Sequence, residues 1–192
     1  MPDALFREVP ETAYRASSKP SIEEAVNDHF DALWRFLRRL GVAEDSVEDA
    51  VQEVFTVFAR RISEVEPGLE KSFLFGTAVR VAKGIRRRRA VDLSRHAELE
   101  ESTSIDDVTP EQRLHDRRAL QWLDSLLDSL GEPNRSVFVL FELEGFTLTE
   151  IADLLSIPRG TVASRLRRSR ADFLRRSAAL RAKYQNLRGE HG

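Results

Sequence analysis

The residues of this chain with the most evident chemistry are arginines near its carboxyl end. Residues 159–183 hold nine basic residues and one acidic residue, and residues 67–91 hold seven and one. A guanidinium group pairs with a phosphate or, in the DNA major groove, with the edge of guanine. Two such cationic blocks in a chain whose formal net charge is only −2 predict two surfaces for a polyanion.

The carboxyl-terminal block begins in a pattern typical of a helix-turn-helix. Thr147 and Glu150 have the spacing of a capping box, which places a helix start there. Ile157 lies in the short turn that follows and is expected to plug the junction between two helices. Pro158 suits the first turn of the second helix, and Gly160 lacks a Cβ atom, which permits close approach of another element.

The second of these helices separates apolar from polar residues. At about 100° per residue, Val162, Leu166 and Phe173 fall on one side, together with Ser169, and are predicted to face the core. The polar residues of its first turns are candidate contacts to DNA bases or phosphates: Arg159, Thr161, Ser164, Arg165, Arg167 and Arg168. An ordinary amphipathic surface helix is the alternative, and the coincidence of cap, turn, glycine and charge favours DNA binding.

The sequence does not predict an enzyme. The chain has no cysteine, which excludes disulfides, thiolate metal ligands and a cysteine nucleophile. Its four histidines lie apart, without the helical spacing of a metal site, and no phosphate-binding glycine loop ends in Gly-Lys. His29, Trp34 and Trp122 are interpreted as packing or surface residues. We therefore expect no catalysis, metal, cofactor or small-molecule substrate.

Helical periodicity dominates the first half of the chain. Apolar residues recur at three- and four-residue steps over residues 22–40, and Gly41 ends that pattern. Asp45 or Ser46 is the predicted cap of a second helix. The inner stripe of this second helix consists of Val47, Val51, Val54, Phe58 and Ile62.

A break at Pro67-Gly68 precedes a third helix, which is expected to run from about Phe73 into the arginines at 86–89. Residues 92–112 are acidic and rich in Ser, Thr and Asp, and are interpreted as a flexible linker. A leucine stripe then begins a second helical unit, and its members are Leu120, Leu123, Leu127 and Leu130.

The predicted fold is all-α, with two small helical domains joined by the acidic linker. The boundaries are an amino-terminal extension at 1–20, a first domain at 21–91, the linker at 92–112, a helix-turn-helix domain at 113–178 and a tail at 179–192. No run of about 18 apolar residues could cross a bilayer, and no secretory signal is evident. We therefore expect a cytoplasmic protein without membrane insertion.

Segments in both halves resemble one family. The segment after Phe146 reads TLTEIADLLSIPRGTVASRLRRSRADFL and resembles the promoter −35-binding helix-turn-helix of extracytoplasmic-function (ECF) bacterial sigma factors, of the sigma-70 family. Residues 47–61 read VEDAVQEVFTVFARR and resemble the family's D-x-x-Q-E-x-F helix. Residues 73–89 read FLFGTAVRVAKGIRRRR and resemble the −10-binding helix that follows it. The resemblance covers about residues 22–89 and 114–175, in the family's order.

The resemblance implies a promoter-specificity subunit of RNA polymerase. In this family, the helix at 47–61 binds the clamp helices of the largest polymerase subunits, which assigns Asp49, Gln52 and Glu53 to the core polymerase. These residues lie opposite the apolar stripe, at i, i+3 and i+4. Judged without the resemblance, the alternative for such a face is simple solvation.

The resemblance also implies contacts to the −10 element. The basic residues of the third helix are candidates to track phosphates of the −10 duplex and of the opened strand: Lys71, Arg80, Lys83, Arg86, Arg87 and Arg88. The loop at residues 63–72 is implied to hold a base flipped from the −10 element.

Three partners follow from the resemblance: core RNA polymerase, promoter DNA and an anti-sigma factor that holds the protein inactive. The competing hypothesis is a stand-alone helix-turn-helix regulator that binds operator DNA without joining the polymerase. The face of Asp49, Gln52 and Glu53 discriminates between the two, because a simple repressor has no need of it.

Overall fold

The computed structural model describes residues 21–96 and 122–189, with side chains described over 21–91 and 122–179. Within these ranges every regular element is a helix and no strand is present, which confirms the all-α prediction. The amino-terminal extension, most of the linker and Leu120 lie outside the described residues.

The first half is built from three helices that pack on one another: α1 (Ile22–Arg39), α2 (Glu44–Arg61) and α3 (Glu70–His96). A 3₁₀ turn, Ile62–Glu64, follows α2. Large side chains meet at the centre, where the ring centroids of Phe36 and Phe75 lie 4.8 Å apart and Phe58 is fully buried. Burial of these aromatic rings supplies much of the hydrophobic stabilisation of this half.

The turn from α1 to α2 confirms one prediction and corrects another. Gly41 has φ +87° and follows the end of α1, as predicted, and the N–H of Val42 donates to Leu37 O at 3.1 Å. Neither Asp45 nor Ser46 caps α2, because the helix already begins at Glu44, after Ala43. Val42 is buried and fixes the entry of the chain into α2.

The apolar stripe of α1 faces a slightly different direction from the predicted one. Leu33 and Leu37 are buried as the periodicity predicts, but Ile22 is 44% exposed and Phe30 is 41% exposed. Phe36 is buried in their place. The core therefore occupies a narrower arc of α1 than the full set of apolar residues does.

Helix α3 is longer than predicted at both ends. It begins at Glu70 rather than near Phe73, two residues after Gly68, whose φ is +86°. The N–H of Gly68 donates to Glu70 Oε1 at 3.0 Å, which stabilises this earlier start. The helix continues to His96, past the predicted linker boundary at residue 92.

The second half contains a helical stretch at residues 122–128 (α4), then α5 (Glu132–Glu142), α6 (Leu148–Leu155) and α7 (Arg159–Gly189). Helix α5 begins immediately after Gly131. Leu127 and Leu140 are fully buried, and the rings of Phe138 and Phe173 stack with centroids 4.9 Å apart. Helices α5 and α6 both pack on α7.

The two halves are packed against each other, and one continuous hydrophobic cluster contains residues of both. Helix α6 contacts α3, and the ring of Phe146, in the loop before α6, lies 5.3 Å from that of Phe75 in α3. The sequence predicts the two helical units but not this contact between them.

Candidate nucleic-acid interface

A reciprocal capping box fixes the start of α6, as the sequence predicts. The N–H of Glu150 donates to Thr147 Oγ1 at 3.2 Å, and the N–H of Thr147 donates to Glu150 Oε2 at 2.7 Å. These hydrogen bonds, chiefly the one from the backbone of Thr147, lower the pKa of Glu150. The cap satisfies donors at the helix start that would otherwise lack partners.

The turn between α6 and α7 is compact. Ser156 adopts the left-handed conformation, with φ +53°, and the N–H of Ile157 donates to Ala152 O at 3.0 Å. Ile157 is partly buried against the core, as predicted. Pro158 lies one residue before α7, not in its first turn, and its carbonyl accepts the N–H of Thr161 at 2.8 Å.

Gly160 corrects one expectation. A Cβ atom at this position would meet no heavy atom within 4 Å. No described element of the chain approaches Gly160, so the close approach predicted from its missing side chain is wrong for contacts within the described part of the protein.

The inner face of α7 follows the predicted pattern. Val162 and Leu166 are buried, and Phe173 is partly buried. Ser169 is fully buried although it is polar, because its hydroxyl donates to Arg165 O at 2.9 Å and to Leu166 O at 3.0 Å. The helix itself therefore satisfies the one polar group that faces the core.

The outer face of α7 presents several cations together. Arg159, Arg167 and Arg168 are exposed, whereas Thr161, Ser164 and Arg165 are half-buried. The hydroxyl of Ser164 donates to Thr161 O at 2.9 Å. These six predicted residues lie within the first three turns of one helix.

Arg170, farther along α7, is held by α5. Its Nε donates to Glu142 Oε1 at 2.5 Å, and its guanidinium carbon lies 5.1 Å from the centroid of Phe141. The ion pair and the cation–π contact fix this arginine at the edge of the helix-turn-helix unit.

The six basic residues predicted on α3 have different environments. Arg80, Lys83, Arg87 and Arg88 are exposed. Arg86 is half-buried and donates to Leu40 O at 3.1 Å, at the end of α1. Lys71 Nζ donates to Glu144 O at 3.0 Å and lies 4.8 Å from the centroid of Phe146. Arg86 and Lys71 thus take part in contacts within the protein.

The acidic surface of α2 consists of Asp49, Gln52 and Glu53, all exposed. Asp49 and Glu53 line a groove of about 480 Å³ whose other wall includes Arg86 and Arg88 of α3. The fold therefore brings the acidic surface beside the basic end of α3.

Sequence reasoning missed Arg135, which is 2% exposed and joins the two halves. It donates to Arg39 O, at the end of α1, and to the carboxylate of Asp128. Burial lowers the pKa of Arg135, and the charge of Asp128 opposes this shift. Arg135 lies between Asn134 and Ser136, before the apolar run of α5, so no local sequence signal marks it as buried.

Glu144 also escaped sequence reasoning. Its carboxylate lies 3.0 Å from Arg39 Nη1, and only 9% of its side chain is exposed. Burial raises the pKa of Glu144, while the nearby charge of Arg39 opposes that shift. The interaction joins residues 105 positions apart in sequence, and no local sequence pattern predicts a contact over that separation.

Among the described residues, no group of histidine and carboxylate side chains could hold a metal ion. Within the same part of the chain, no helix is long and apolar enough to cross a membrane.

Known proteins are similar to this chain over two ranges: a family model matches part of the second half, and whole-chain relatives match most of the chain. Residues 120–173 match the family described as Sigma-70, region 4. The ECF RNA polymerase sigma factor SigE of Mycolicibacterium smegmatis is 32% identical over 155 residues, which is 80% of this chain. The chain spans 60% of the length of that relative.

A second relative matches over more of its own length. The ferric citrate uptake sigma factor FecI of Escherichia coli is 29% identical over 152 residues, covering 77% of this chain and 87% of FecI. The solved structure of the sigma factor RpoE in complex with the anti-sigma factor NepR, from Bartonella quintana, has a TM-score of 0.64 and 22% identity. It covers 79% of this chain and 92% of RpoE, and the two share a fold.

Proposed function

Because the chain belongs to the extracytoplasmic-function sigma factors of the sigma-70 family, we propose that it binds core RNA polymerase and directs it to specific promoters. It recognises the −35 and −10 elements and aids promoter melting, and it adds no catalysis of its own. The observation that carries the proposal is α7, which buries Val162 and Leu166 and presents Arg167 and Arg168 to solvent.

The helix-turn-helix domain, proposed at residues 113–178, binds the −35 duplex. An α-helix with its side chains is about 10–12 Å across and fits the major groove, which is about 12 Å wide. The six candidate residues in the first turns of α7 supply the contacts. Half-buried Ser164 and Arg165 are positioned by the helix, and exposed Arg167 and Arg168 are free to reach bases or phosphates.

The first domain, proposed at residues 21–91, captures the −10 region. The exposed basic residues of α3 follow the phosphates of the duplex and of the opened strand. The segment at 63–72, whose residues from Glu70 onward belong to α3, holds the flipped base, whose unstacking costs a few kcal/mol that contacts must offset. Phe73, which follows this segment, anchors its carboxyl-terminal end: the ring of Phe73 lies 5.9 Å from that of Phe58.

The acidic surface of α2 binds the core polymerase. Asp49, Gln52 and Glu53 are exposed on a helix whose opposite face is buried, so a partner can cover them without unfolding the domain. Arg89, on the other wall of the adjacent groove, offers the same partner a cation beside these carboxylates.

Further partners follow from the family. The related RpoE structure contains an anti-sigma factor, and we infer that a protein of this kind also holds the present chain inactive. The protein works in the cytoplasm, where it meets the polymerase and the chromosome. A stand-alone regulator is the less favoured alternative, since it leaves the acidic surface of α2 without a purpose.

Co-elution with purified core RNA polymerase on a sizing column tests the proposal. The full chain is expected to elute with the polymerase, and the double variant Asp49→Ala, Gln52→Ala is expected to lose that association while its circular dichroism stays unchanged. Absence of co-elution for the unaltered chain contradicts the proposal and favours the stand-alone regulator.

A matched control removes the same two chemical groups elsewhere. Asn27 and Asp31 are an exposed amide and an exposed carboxylate on α1, and Asn27→Ala with Asp31→Ala is expected to leave co-elution intact. The assignment of the acidic surface of α2 is wrong if the double variant Asp49→Ala, Gln52→Ala unfolds. It is also wrong if the two double variants co-elute equally well with core RNA polymerase.

A further inference from the structure

A pocket of about 510 Å³ opens where three parts of the protein meet. Gly41, in the turn between α1 and α2, lines it on one side, and Glu132, at the start of α5, lines it on another. The remaining lining residues belong to the later part of α3: Lys83, Arg86, Arg87, Arg89 and Ala90. A volume of this size is typical of sites that hold small molecules.

One face of α3 supplies most of the cations of this pocket. Lys83, Arg86, Arg87 and Ala90 are spaced at i, i+3, i+4 and i+7, so their side chains leave the helix on the same side. Arg89 lies at the edge, where it also lines the groove beside α2. Three cations of one helix face are therefore directed at one volume.

These cations have little to neutralise them. Arg86 donates to Leu40 O at 3.1 Å, which is a neutral acceptor. Lys83 and Arg87 are exposed, and neither forms an ion pair within the part of the chain that the structure describes. Glu132 is the one carboxylate among the described lining residues. Like charges at such short spacing repel one another, and a bound anion removes that cost.

The positive potential extends to a buried neighbour of the pocket. Burial lowers the pKa of Arg135, and the charge of Arg86 lowers it further because the two cations repel each other. A Cβ atom on Gly41 would lie 2.9 Å from Arg135 Nη1, so the missing side chain leaves room for this guanidinium beside the pocket. The start of α5, which has no side-chain hydrogen bond at its cap, adds partial positive charge near Glu132.

The shape of this surface selects a compact anion over a nucleic-acid backbone. The phosphates of a duplex follow one another along a line, with about one charge per 1.7 Å of helix axis, and cations spread along a surface can meet them. Here, walls from two other elements adjoin the cationic face of α3, so the charge is concentrated around one concave volume. A small ligand with several negative charges can contact these cations together.

We propose that this pocket binds a compact polyphosphate, whose phosphate groups are held by Lys83, Arg86 and Arg87. The planar fork of arginine and the ammonium group of lysine both bind phosphate oxygens. The carboxylate of Glu132 accepts a hydrogen bond from a hydroxyl group, so a sugar attached to the phosphates finds an acceptor in the pocket. The inference goes beyond the proposed function, because the free chain binds this ligand without polymerase or promoter.

Occupation of the pocket also changes the surface that is available to DNA. Lys83, Arg86 and Arg87 are candidates to follow the phosphates of the −10 region, and a bound polyphosphate neutralises all three. The ligand and DNA are therefore expected to compete for the free chain.

Isothermal titration calorimetry of the full chain tests the site, with inorganic triphosphate and adenosine triphosphate as separate probes. Saturable binding of a single ligand per chain is expected, and the probe that binds more tightly identifies the source of the polyphosphate. Absence of saturable binding for both probes overturns the proposal. Core polymerase takes no part in this measurement, so its outcome is independent of the co-elution experiment.

The double variant Lys83→Ala, Arg87→Ala removes two exposed cations of the pocket. Its affinity for the tighter probe is expected to fall by at least about tenfold, because charge-assisted hydrogen bonds to phosphate are lost. The control, Arg60→Ala with Arg176→Ala, removes the same charge from exposed positions on α2 and α7 and is expected to bind as the unaltered chain does. Equal losses in the two double variants overturn the proposal, since the probes then respond to net charge alone.

Ala90→Phe distinguishes the pocket from the charged surface around it. Position 90 lines the pocket and is exposed, so an added ring fills part of the volume without removing any charge. Binding of the polyphosphate probe is expected to weaken, whereas binding of a random-sequence duplex, measured by fluorescence anisotropy, is expected to stay the same. Unchanged polyphosphate binding, or an equal loss for polyphosphate and duplex, contradicts a concave site at this position.

Glu132→Ala affects the two probes in opposite directions. Inorganic triphosphate is expected to bind more tightly, because a like charge leaves the pocket. Adenosine triphosphate also loses an acceptor for its ribose hydroxyl groups, so its affinity relative to inorganic triphosphate is expected to fall. Weaker binding of inorganic triphosphate by this variant overturns the proposal, since the phosphates then do not lie near Glu132.

Discussion

An arginine on a DNA-binding helix either reads a base or holds a phosphate, and its removal has different consequences in the two cases. Arg168 is exposed on the outer face of α7, directly before Ser169, which is locked into the core. Its backbone is therefore held in place while its side chain remains free, a combination suited to either role.

We predict that Arg168→Ala weakens binding of the reconstituted polymerase to a −35-containing duplex. The loss is about 1–3 kcal/mol, with a changed base preference, if the guanidinium contacts a base. A loss that is uniform across sequences, with a salt slope lower by about one, identifies a phosphate contact. Fluorescence anisotropy over a series of salt concentrations and single-base duplex variants distinguishes these outcomes.

Arg176→Ala provides the comparison, since Arg176 is an exposed arginine farther along α7. Its effect on the −35 duplex is expected to be small. Equal losses for the two variants would show that the measurement reports total charge and not the surface assigned to the first turns of α7.

At this scale the sequence predicted local patterns well and distant partners poorly. The inner face of α7 follows from the helical period alone, including buried Ser169. Arg135 and Glu144 were missed because their partner, Arg39, is about a hundred residues away in sequence. Single-sequence periodicity contains no information about which distant groups meet.

Capping geometry sets the ends of several elements, and α6 depends on it most because it contains only eight residues. An isolated helix of this length is unstable in water, so its hydrogen-bonded cap and its packing must hold it. Thr147 supplies the cap, and Ile151 supplies part of the packing.

We predict that Thr147→Ala lowers the free energy of unfolding by about 0.5–2 kcal/mol, because the N–H of Glu150 loses its acceptor. Urea denaturation followed by circular dichroism measures the change. Thr147→Ser keeps the hydroxyl and is expected to stay close to the unaltered protein. A serine variant as unstable as the alanine variant would mean that the methyl group of Thr147, and not its cap, stabilises α6.

Element boundaries show where sequence rules succeed. The capping box of α6 was predicted because both of its partners lie within four residues. The predicted start of α2 was wrong, because this helix begins without a side-chain cap. The carboxylates of Glu44 and Asp45 lie in its first turn, where they interact favourably with the positive end of the helix dipole. The earlier start of α3 depends on Glu70 accepting the N–H of Gly68, which helix periodicity does not describe.

The net charge of the whole molecule is a near-cancellation of strong local charges. The chain contains 30 basic and 32 acidic residues, and the basic ones are concentrated in two blocks. Acidic segments elsewhere oppose the attraction of these blocks for DNA over distances up to about a Debye length, roughly 8–10 Å. Modest affinity of the free chain for DNA follows.

We predict that neutralising the acidic residues of 98–107 strengthens non-specific DNA binding. Changing five carboxylates to amides (Glu98, Glu100, Glu101, Asp106 and Asp107) moves the formal net charge from −2 to +3. Anisotropy with a duplex of random sequence at low salt is expected to show tighter binding, and the difference should fall as salt is added.

A control set of substitutions that keeps the charge tests whether charge, and not the identity of the side chains, changes the affinity for DNA. Exchanging Glu for Asp and Asp for Glu at the same five positions keeps the net charge at −2 and is expected to leave affinity unchanged. If this exchange strengthens binding as much as the amide set does, the side chains of 98–107 act through something other than their charge.

The insertion of Arg135 at the end of α1 has a consequence for biosynthesis. The chain leaves the ribosome amino terminus first, and domains fold largely in the order of synthesis. The carbonyl of Arg39 must therefore stay hydrated until α5 has been made, some 96 residues later. At translation rates of about 5–20 residues per second, each new molecule has a window of several seconds with its first half folded and the whole face of α3 uncovered.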